Sequence, residues 1–342
     1  MRLLHIIAGG EHGGAERFFV DLATALSARG YHQHAVSRPY SERSQSLVEA
    51  GCGVTAARMG GPLDVLSGWK TAQAARKFGP DIVLAWMNRA AALVPRGPWR
   101  TVGRLGGYYN LKYYAKCDHL ICNTPDLVQH CIRNGWPEDR VDYIPNFSPE
   151  VADIEPVQRA TVATPEGAPV LLVLARLEEN KAIDVAIAAL AELPGVYLWI
   201  AGEGSCEQEL KSKALSLGVS DRVKFLGWRQ DREALLAAAD ICLVPSRHEP
   251  FGNVVVNAWS AGTPLVAAAS QGPSYLITDN VNGLLVPIDD SSALSVAVRR
   301  VLTDKDLTKI MVSGGREAVK HRFSEHVVVS AYCQLFERLS SS

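Results

Sequence analysis

The chain has 342 residues, 47% of them hydrophobic and 21% charged, with a net charge of −1 at pH 7. That length favours two domains over one, and the balanced charge gives no reason to expect a nucleic-acid partner. No apolar run reaches the roughly 20 residues needed to cross a bilayer.

The opening "MRLLHIIAGGEHGGAER" is too short an apolar stretch for a signal peptide, so it reads as the first strand of a cytoplasmic protein. Strands are expected in "RLLHIIAGG", "HQHAVS", "DIVLAWM", "RTVGRLGG" and "HLICNT". Between the first two, "GAERFFVDLATALSARG" places Phe18, Leu22, Ala25 and Leu26 at helical spacing and stops at Gly30. The Pro- and Ala-rich stretch 145–169 breaks the alternation and reads as a linker. Beyond it, "VLLVLARL", "VYLWIAGEG", "VKFLGW", "ICLVPS", "PLVAAAS" and "GLLVP" restart the pattern, with helices such as "REALLAAAD" between them. Residues after Ser324 read as a closing helix with Ser324 as its N-cap. Alternating strands and helices predict an α/β protein with two doubly wound parallel sheets in tandem.

Charge is unevenly spread. Residues 1–150 carry 17 Lys+Arg against 13 Asp+Glu, and the remainder carries 18 against 23. Seven cysteines make no CxxC pair and no zinc-like cluster with histidine, so reduced, mostly buried thiols are expected.

In doubly wound sheets ligands lie beyond the carboxyl ends of the strands, which directs attention to three loops of the second half. "LARLEENKAID" sets Arg176 and Lys181 five residues apart after a strand, a pairing suited to a diphosphate. "IAGEGS" is a glycine turn after another strand. In "ICLVPSRHEPFGNVVVNAWSAG", Glu249 precedes a Phe251-Gly252 turn and a helix opening at Asn253. A helix start offers unpaired N–H groups to an anion. Glu249 would repel that anion, so its sense is to accept hydrogen bonds from sugar hydroxyls. Asn257, one turn after Asn253, lies on the same helix face and can reach another polyol.

With these motifs in place, residues 170–290 resemble the donor-binding domain of retaining family 4 glycosyltransferases of the GT-B fold. The resemblance rests on "ARLEENK", "AGEGS", "FLGW", "AAADICLVPSRHEPFGNVVVNAWSAGTPLVA" and "NGLLVP"; the first half is similar through "GGEHGGAERFFVDLATAL" and "RVDYIPNF". It implies two Rossmann-like domains facing a central cleft: an acceptor-binding domain over 1–150, joined by the helix 324–342, and a donor-binding domain over 165–323. It implies catalysis by Arg176, Lys181 and Glu249, a donor held by the backbone of Phe251, Gly252 and Asn253, and closure on the phosphates by Gly13 and Gly14. Trp228 and Arg229 mark where relatives read the base, UDP- or GDP-linked. No cofactor and no metal are implied; "DKD" at 304–306 imitates a metal motif but sits in a surface helix region. The implied partners are a nucleotide sugar and a glycan or glycolipid acceptor of lipopolysaccharide type, with peripheral contact at the inner membrane surface.

The pattern also departs from the family. Its second glutamate, eight residues after the first, is Asn257 here, which predicts altered nucleotide binding. The histidine many relatives carry after the fourth strand is missing from "VGRLGGYYNLKYY"; Arg104, Tyr108 and Tyr109 are the acceptor-side candidates, and a packing role for the Arg and the tyrosines is the alternative. His119 reads as packing, and Tyr275 stands where relatives place an acid. A nicotinamide oxidoreductase would need GxGxxG, which "GGEHGG" is not. A GT-B nucleotide-sugar epimerase and a non-catalytic nucleotide-sugar binder are the remaining rivals.

Overall fold

The computed structural model describes residues 1–11, 13–61, 64–149 and 154–341. In chain order the first half forms β1 (Arg2–Ile7), α1 (Gly14–Ala28), β2 (His32–Ser37), α2 (Ser41–Glu49), β3 (Gly53–Ala56), α3 (Val65–Phe78), β4 (Ile82–Trp86), α4 (Met87–Ala92), β5 (Arg100–Leu105), β6 (His119–Cys122), α5 (Pro125–Arg133) and β7 (Val141–Tyr143). The second continues with β8 (Val170–Leu174), α6 (Ile183–Ala191), β9 (Tyr197–Ala201), α7 (Glu207–Ser216), β10 (Val223–Phe225), α8 (Arg232–Ala238), β11 (Ile241–Val244), α9 (Asn253–Ala261), β12 (Leu265–Ala268), α10 (Gln271–Leu276), β13 (Leu284–Val286), α11 (Ser291–Thr303) and α12 (Lys305–Ala318), then a π-helical turn and α13 (Glu325–Ser340).

Two compact units result: Met1–Phe147 with Glu325–Ser342, and Ser148–Ser324. The first holds a seven-stranded sheet ordered β3-β2-β1-β4-β5-β6-β7, the second a six-stranded sheet ordered β10-β9-β8-β11-β12-β13. Every strand pair in both is parallel. Central strands such as "IVLAW" of β4 are buried along their whole length, because helices cover both faces of a parallel sheet. All strands read from the sequence are present. Reading missed β3 and β7, the two outermost strands of the first sheet, whose partly exposed "GVTA" and "VDY" lack a continuous apolar run.

Local sequence explains the helices. Phe18, Phe19, Leu22, Ala25 and Leu26 of α1 form the buried stripe that packs on the first sheet. Asp64, Thr124, Asp290 and Asp304 each accept a backbone N–H at the start of α3, α5, α11 and α12. Asp304 is therefore the cap of α12, accepting from Leu307 N, and its neighbour Asp306 pairs with Lys309. The closing helix α13 buries Val328, Val329, Tyr332, Leu335 and Phe336 in the core of the first unit. Each such side chain stabilises by about 1.5–3 kcal/mol. Five of the seven cysteines are buried and all are free.

The stretch read as a linker is a structured part of the second unit over most of its second half. Val157 N donates to Ala234 O, Arg159 reaches Asp240 at 3.0 Å and Ala238 O at 2.9 Å, and Val162 is buried. Buried Trp199 needs an acceptor for its indole N–H and finds Thr164 Oγ1 at 2.9 Å. Residues 150–153 of that stretch lie outside the described residues, as do His12 of the "GGEHGG" motif and Ser342.

Candidate functional site

The carboxyl-end loops of the second sheet lie directly on one another. Leu177 N donates to Glu203 O, Cys206 N to Leu177 O, and Gly202 N to Gly227 O. A Cβ on Gly202 would meet Ala175 O at 1.9 Å, and its φ is 151°. The glycines of "AGEGS" thus serve close approach to the "ARLEEN" loop. On the other side, Arg247 N and His248 N both donate to Asn180 O, and Gly272 N donates to Glu249 O.

Within this edge, two residues 68 apart in sequence meet. Lys181 Nζ donates to Glu249 Oε2 at 2.6 Å, with side chains 15% and 19% exposed. Arg176, on the same loop as Lys181, is exposed. Three residues beyond Glu249 the chain turns at Gly252, whose φ of 95° excludes most other residues, and α9 begins. No side-chain hydrogen bond caps the start of α9, where Val255 N donates to Gly252 O at 3.0 Å. Phe251 is buried with its ring against Phe323, and its backbone packs on Gly272, where a Cβ would meet Phe251 O at 2.1 Å. Asn257, one helical turn past Asn253, is 9% exposed.

Sequence reasoning missed the residue that fastens these loops. Arg247 donates to Glu179 O at 2.6 Å, Asp184 at 2.9 Å and Asp289 at 2.6 Å, joining the loops after β8, β11 and β13. Burial pushes the Asp184 carboxyl up, but Arg247 and Lys213 outweigh it and hold that group below the usual range. A cation directly after a buried strand was the available signal. Trp228 is 40% exposed, and its backbone N–H donates to Glu203. Arg229 is tied to Asp231 by two hydrogen bonds, and that pairing lowers the Asp231 pKa. Tyr275 takes a hydrogen bond from Arg322 at 2.9 Å, an anchor for the π-helical turn.

The acceptor-side candidates come out differently. Arg104 is 2% exposed, so it does not face solvent. Its Nε donates to Tyr332 Oη at 2.9 Å, another nitrogen reaches Asn146, and the guanidinium lies over Phe18 and Trp86 at 4.6 and 4.9 Å. It binds α13 to the sheet; an apolar strand end flanked by aromatics can take a cation that stacks as well as bonds. Tyr114 is fully buried, Tyr108 bonds to Asp126 and packs edge-on against His130, and Tyr109 is partly buried. Only Tyr113 is exposed, with Lys112 Nζ 5.1 Å from its ring centre. His119 packs as expected, buried and 2.6 Å from Asp142. Gly13 and Gly14 lie at the start of α1, where Glu16 already accepts from Gly10 N at 3.0 Å.

Comparison with known proteins now bears on this edge. Residues 12–148 match the family described as "Glycosyltransferase Family 4", and residues 155–318 match "Glycosyl transferases group 1". The lipopolysaccharide core biosynthesis glycosyltransferases LpsE and LpsD of Rhizobium meliloti (strain 1021) are similar, at 37% identity over 95% of this chain and 96% of LpsE, and 36% over 99% and 98% of LpsD. Anabaena Alr3699/HepE, solved in complex with UDP-glucose, superposes with a TM-score of 0.85 at 24% identity, covering 100% of both chains. Two parallel sheets flanked by helices, matched family by family along nearly the whole length, identify the fold as GT-B, and the chain belongs to the group 1 and family 4 glycosyltransferases.

Proposed function

We propose that the protein transfers a hexose from a UDP- or GDP-linked sugar to a glycan or glycolipid acceptor of the lipopolysaccharide core, with retention of configuration and without a metal. The Lys181–Glu249 pair beside the uncapped start of α9 carries this reading. The names of LpsE and LpsD support the acceptor class, and the UDP-glucose bound to HepE supports the donor class.

The chemical obstacle is the departing diphosphate, whose growing charge needs fixed positive partners. Lys181 and exposed Arg176 supply cations, and the backbone of Phe251, Gly252 and Asn253 supplies amides. Glu249 accepts from hexose hydroxyls, and its bond to Lys181 holds both groups in position before the donor arrives. Asn257 meets the ribose, and the backbone at Trp228 and Arg229 meets the base. The acceptor hydroxyl attacks on the leaving-group face and gives its proton to the departing phosphate, so no second carboxylate is required.

A panel of nucleotide sugars tests this reading by thermal shift, since a donor at 100 times its Kd adds about 2.7 kcal/mol. Slow cleavage of the stabilising donor, reduced at least about tenfold by Lys181→Ala in a folded variant, is expected. Stabilisation with no cleavage of any donor would mark a binding protein instead, and interconversion of two donors an epimerase.

The proposed location is the cytoplasmic face of the inner membrane. Among the described residues no helix is long and apolar enough to cross a membrane. The surface that supports peripheral contact is the first turn of α3 rather than the tyrosine-rich stretch. Val65, Leu66 and Trp69 there are 77%, 72% and 57% exposed, with Lys70 beside them and exposed Arg58 upstream. Apolar side chains ringed by cations suit an anionic bilayer surface. Co-sedimentation with phosphatidylglycerol vesicles, lost on joint Val65→Ser, Leu66→Ser and Trp69→Ser substitution, is the expected result; equal recovery of both proteins would remove this surface from the account.

A further inference from the structure

The carboxyl edge of the first sheet gathers three arginines, none of which makes a salt bridge among the described residues, although the charges of Glu16 and Glu11 are felt at Arg43. Arg38 follows β2, Arg43 lies in α2, and Arg89 lies in α4 directly after β4, so the three flank β1 at the point where the strand order reverses. Such reversal points are where doubly wound sheets take ligands. Arg38 Nη2 and Arg89 Nη1 both donate to Met59 O, at 3.2 and 3.1 Å, so these nitrogens are no farther apart than two hydrogen bonds end to end. Arg43 donates to Gly10 O and to Glu11 O and lies 5.2 Å over the ring of Tyr40, whose hydroxyl accepts from Arg38 Nη1 at 3.5 Å.

The hydrogen bonding of two of them is incomplete, while Arg89 is exposed. Arg43 is only 5% exposed, yet its Nη1 has no partner, and buried Arg38 Nε has none either. Among the described residues none of the three forms an ion pair; Glu16, whose carboxylate accepts from Gly10 N, offsets part of the Arg43 charge from a distance but makes no hydrogen bond to it. Buried guanidinium groups elsewhere in proteins are paired, because an unbalanced cation in a low dielectric is costly. Asn88 Oδ1, one residue before Arg89, is likewise buried without a partner, an acceptor suited to a hydroxyl. The backbone here is strained too: Met59, three residues past β3, has φ 48°, and Met87, the first residue of α4, has φ 65°. Strain of this kind persists where surrounding structure holds it, and ligand sites are where it collects.

We propose that Arg38, Arg43 and Arg89 form a binding site for a phosphate or carboxylate group carried by the acceptor glycan. The proposal rests on the glycosyl-transfer reading and adds to it the chemical class of the acceptor. Guanidinium forks match either oxyanion in a bidentate way that a lysine does not. The site orients the acceptor through its charge and leaves the attacking hydroxyl free.

Two measurements test it. In the first, transfer is followed to a rough-type lipopolysaccharide core oligosaccharide in its native form, after removal of phosphate, and after reduction of its carboxyl groups to alcohols. Loss of one charge class raises the wild-type acceptor KM by about tenfold or more; which treatment does so distinguishes phosphate from carboxylate. Arg38→Gln with Arg89→Gln raises acceptor KM on the native core by a similar factor and makes the protein indifferent to the treatment, and Arg38→Lys with Arg89→Lys recovers part of the loss. An unchanged acceptor KM in the Gln variant, or a rise in donor KM instead, overturns the assignment. In the second, inorganic phosphate is titrated and its ³¹P line width followed. Broadening that survives Lys181→Ala and disappears in the double Gln variant supports the pocket even if no sugar transfer is found; broadening indifferent to the double Gln variant counts against it.

Discussion

Arg247 in the second unit ends on two carboxylates and a carbonyl, whereas Arg38, Arg43 and Arg89 in the first end on carbonyls and, for Arg38, the Tyr40 hydroxyl. Both groups stand at the carboxyl edge of a sheet with the same central strand order. In one, Arg247 is consumed in fastening loops to one another, Lys181 is paired with Glu249, and Arg176 is exposed. In the other, Arg38 and Arg43 are left with unused donors. A scaffold repeated twice can thus hold a rigid edge in one copy and incompletely bonded cations in the other, and the two should respond differently to substitution.

The largest difference should come from the fastening of the second unit. Gly202→Ala places a Cβ against Ala175 O at 1.9 Å, a contact that only backbone movement can relieve. A loss of about 4 kcal/mol is expected, at the upper end of single-residue effects. Hydrogen exchange should localise the loosening to the amides of residues 175–206. If exchange there is unaltered, the close packing of the two loops is not what holds that edge.

In the first unit the comparable fastener is buried Arg104, and Arg104→Met should cost about 3 kcal/mol, because Tyr332 and Asn146 lose their donor. Exchange protection of α13 should fall first. An intact α13 in that variant would mean its apolar face alone suffices, and would reopen a ligand role for the arginine.

These two sites also show how much could be read in advance. Apolar runs disclosed all the central strands, because a parallel sheet buried on both faces leaves a continuous hydrophobic record; the outermost β3 and β7 left none. Lys181 and Glu249 were legible as loop residues after strands, but their 2.6 Å contact spans 68 residues and no local pattern encodes it. Arg104 stands out in the sequence as a ligand candidate because it is the polar residue nearest the place where relatives carry a histidine. Its actual surroundings, Phe18, Trp86 and Tyr332, come from three distant elements. The cluster of Arg38, Arg43 and Arg89 escaped for the same reason: only the excess of 17 basic over 13 acidic residues in the first 150 hinted at it.

A smaller effect separates the units by pH. His5, wholly buried in β1, is lowered to about 4 by desolvation, against which its bond to Gln33 works only partly. The unfolded chain, with an ordinary imidazole near 6.5, binds the proton that the folded chain refuses. Stability therefore falls on acidification through 6.5 towards 4 and is fully present above 6.5. About 2 kcal/mol should be lost between pH 6.5 and 5 from this group. His5→Phe should lower stability at neutral pH, since Gln33 loses its partner, yet remove this part of the slope; an unchanged slope would shift the acid sensitivity to other groups.

The smallest expected effect bears on the donor edge itself. Asn257 sits one turn inside α9 at 9% exposure, where a carboxylate would be poorly solvated unless donor hydroxyls met it. Asn257→Glu should accordingly destabilise the free protein slightly and tighten nucleotide binding by about fivefold, as a charged acceptor replaces a neutral one on the ribose. Calorimetric titration with UDP and with GDP measures this directly. Tightening for one nucleotide alone would also name the base, because the two share the ribose and diphosphate and differ only where the backbone at Trp228 and Arg229 would read them. If neither affinity changes, the amide does not face the ribose, and the polar group that does must be sought on a loop other than α9.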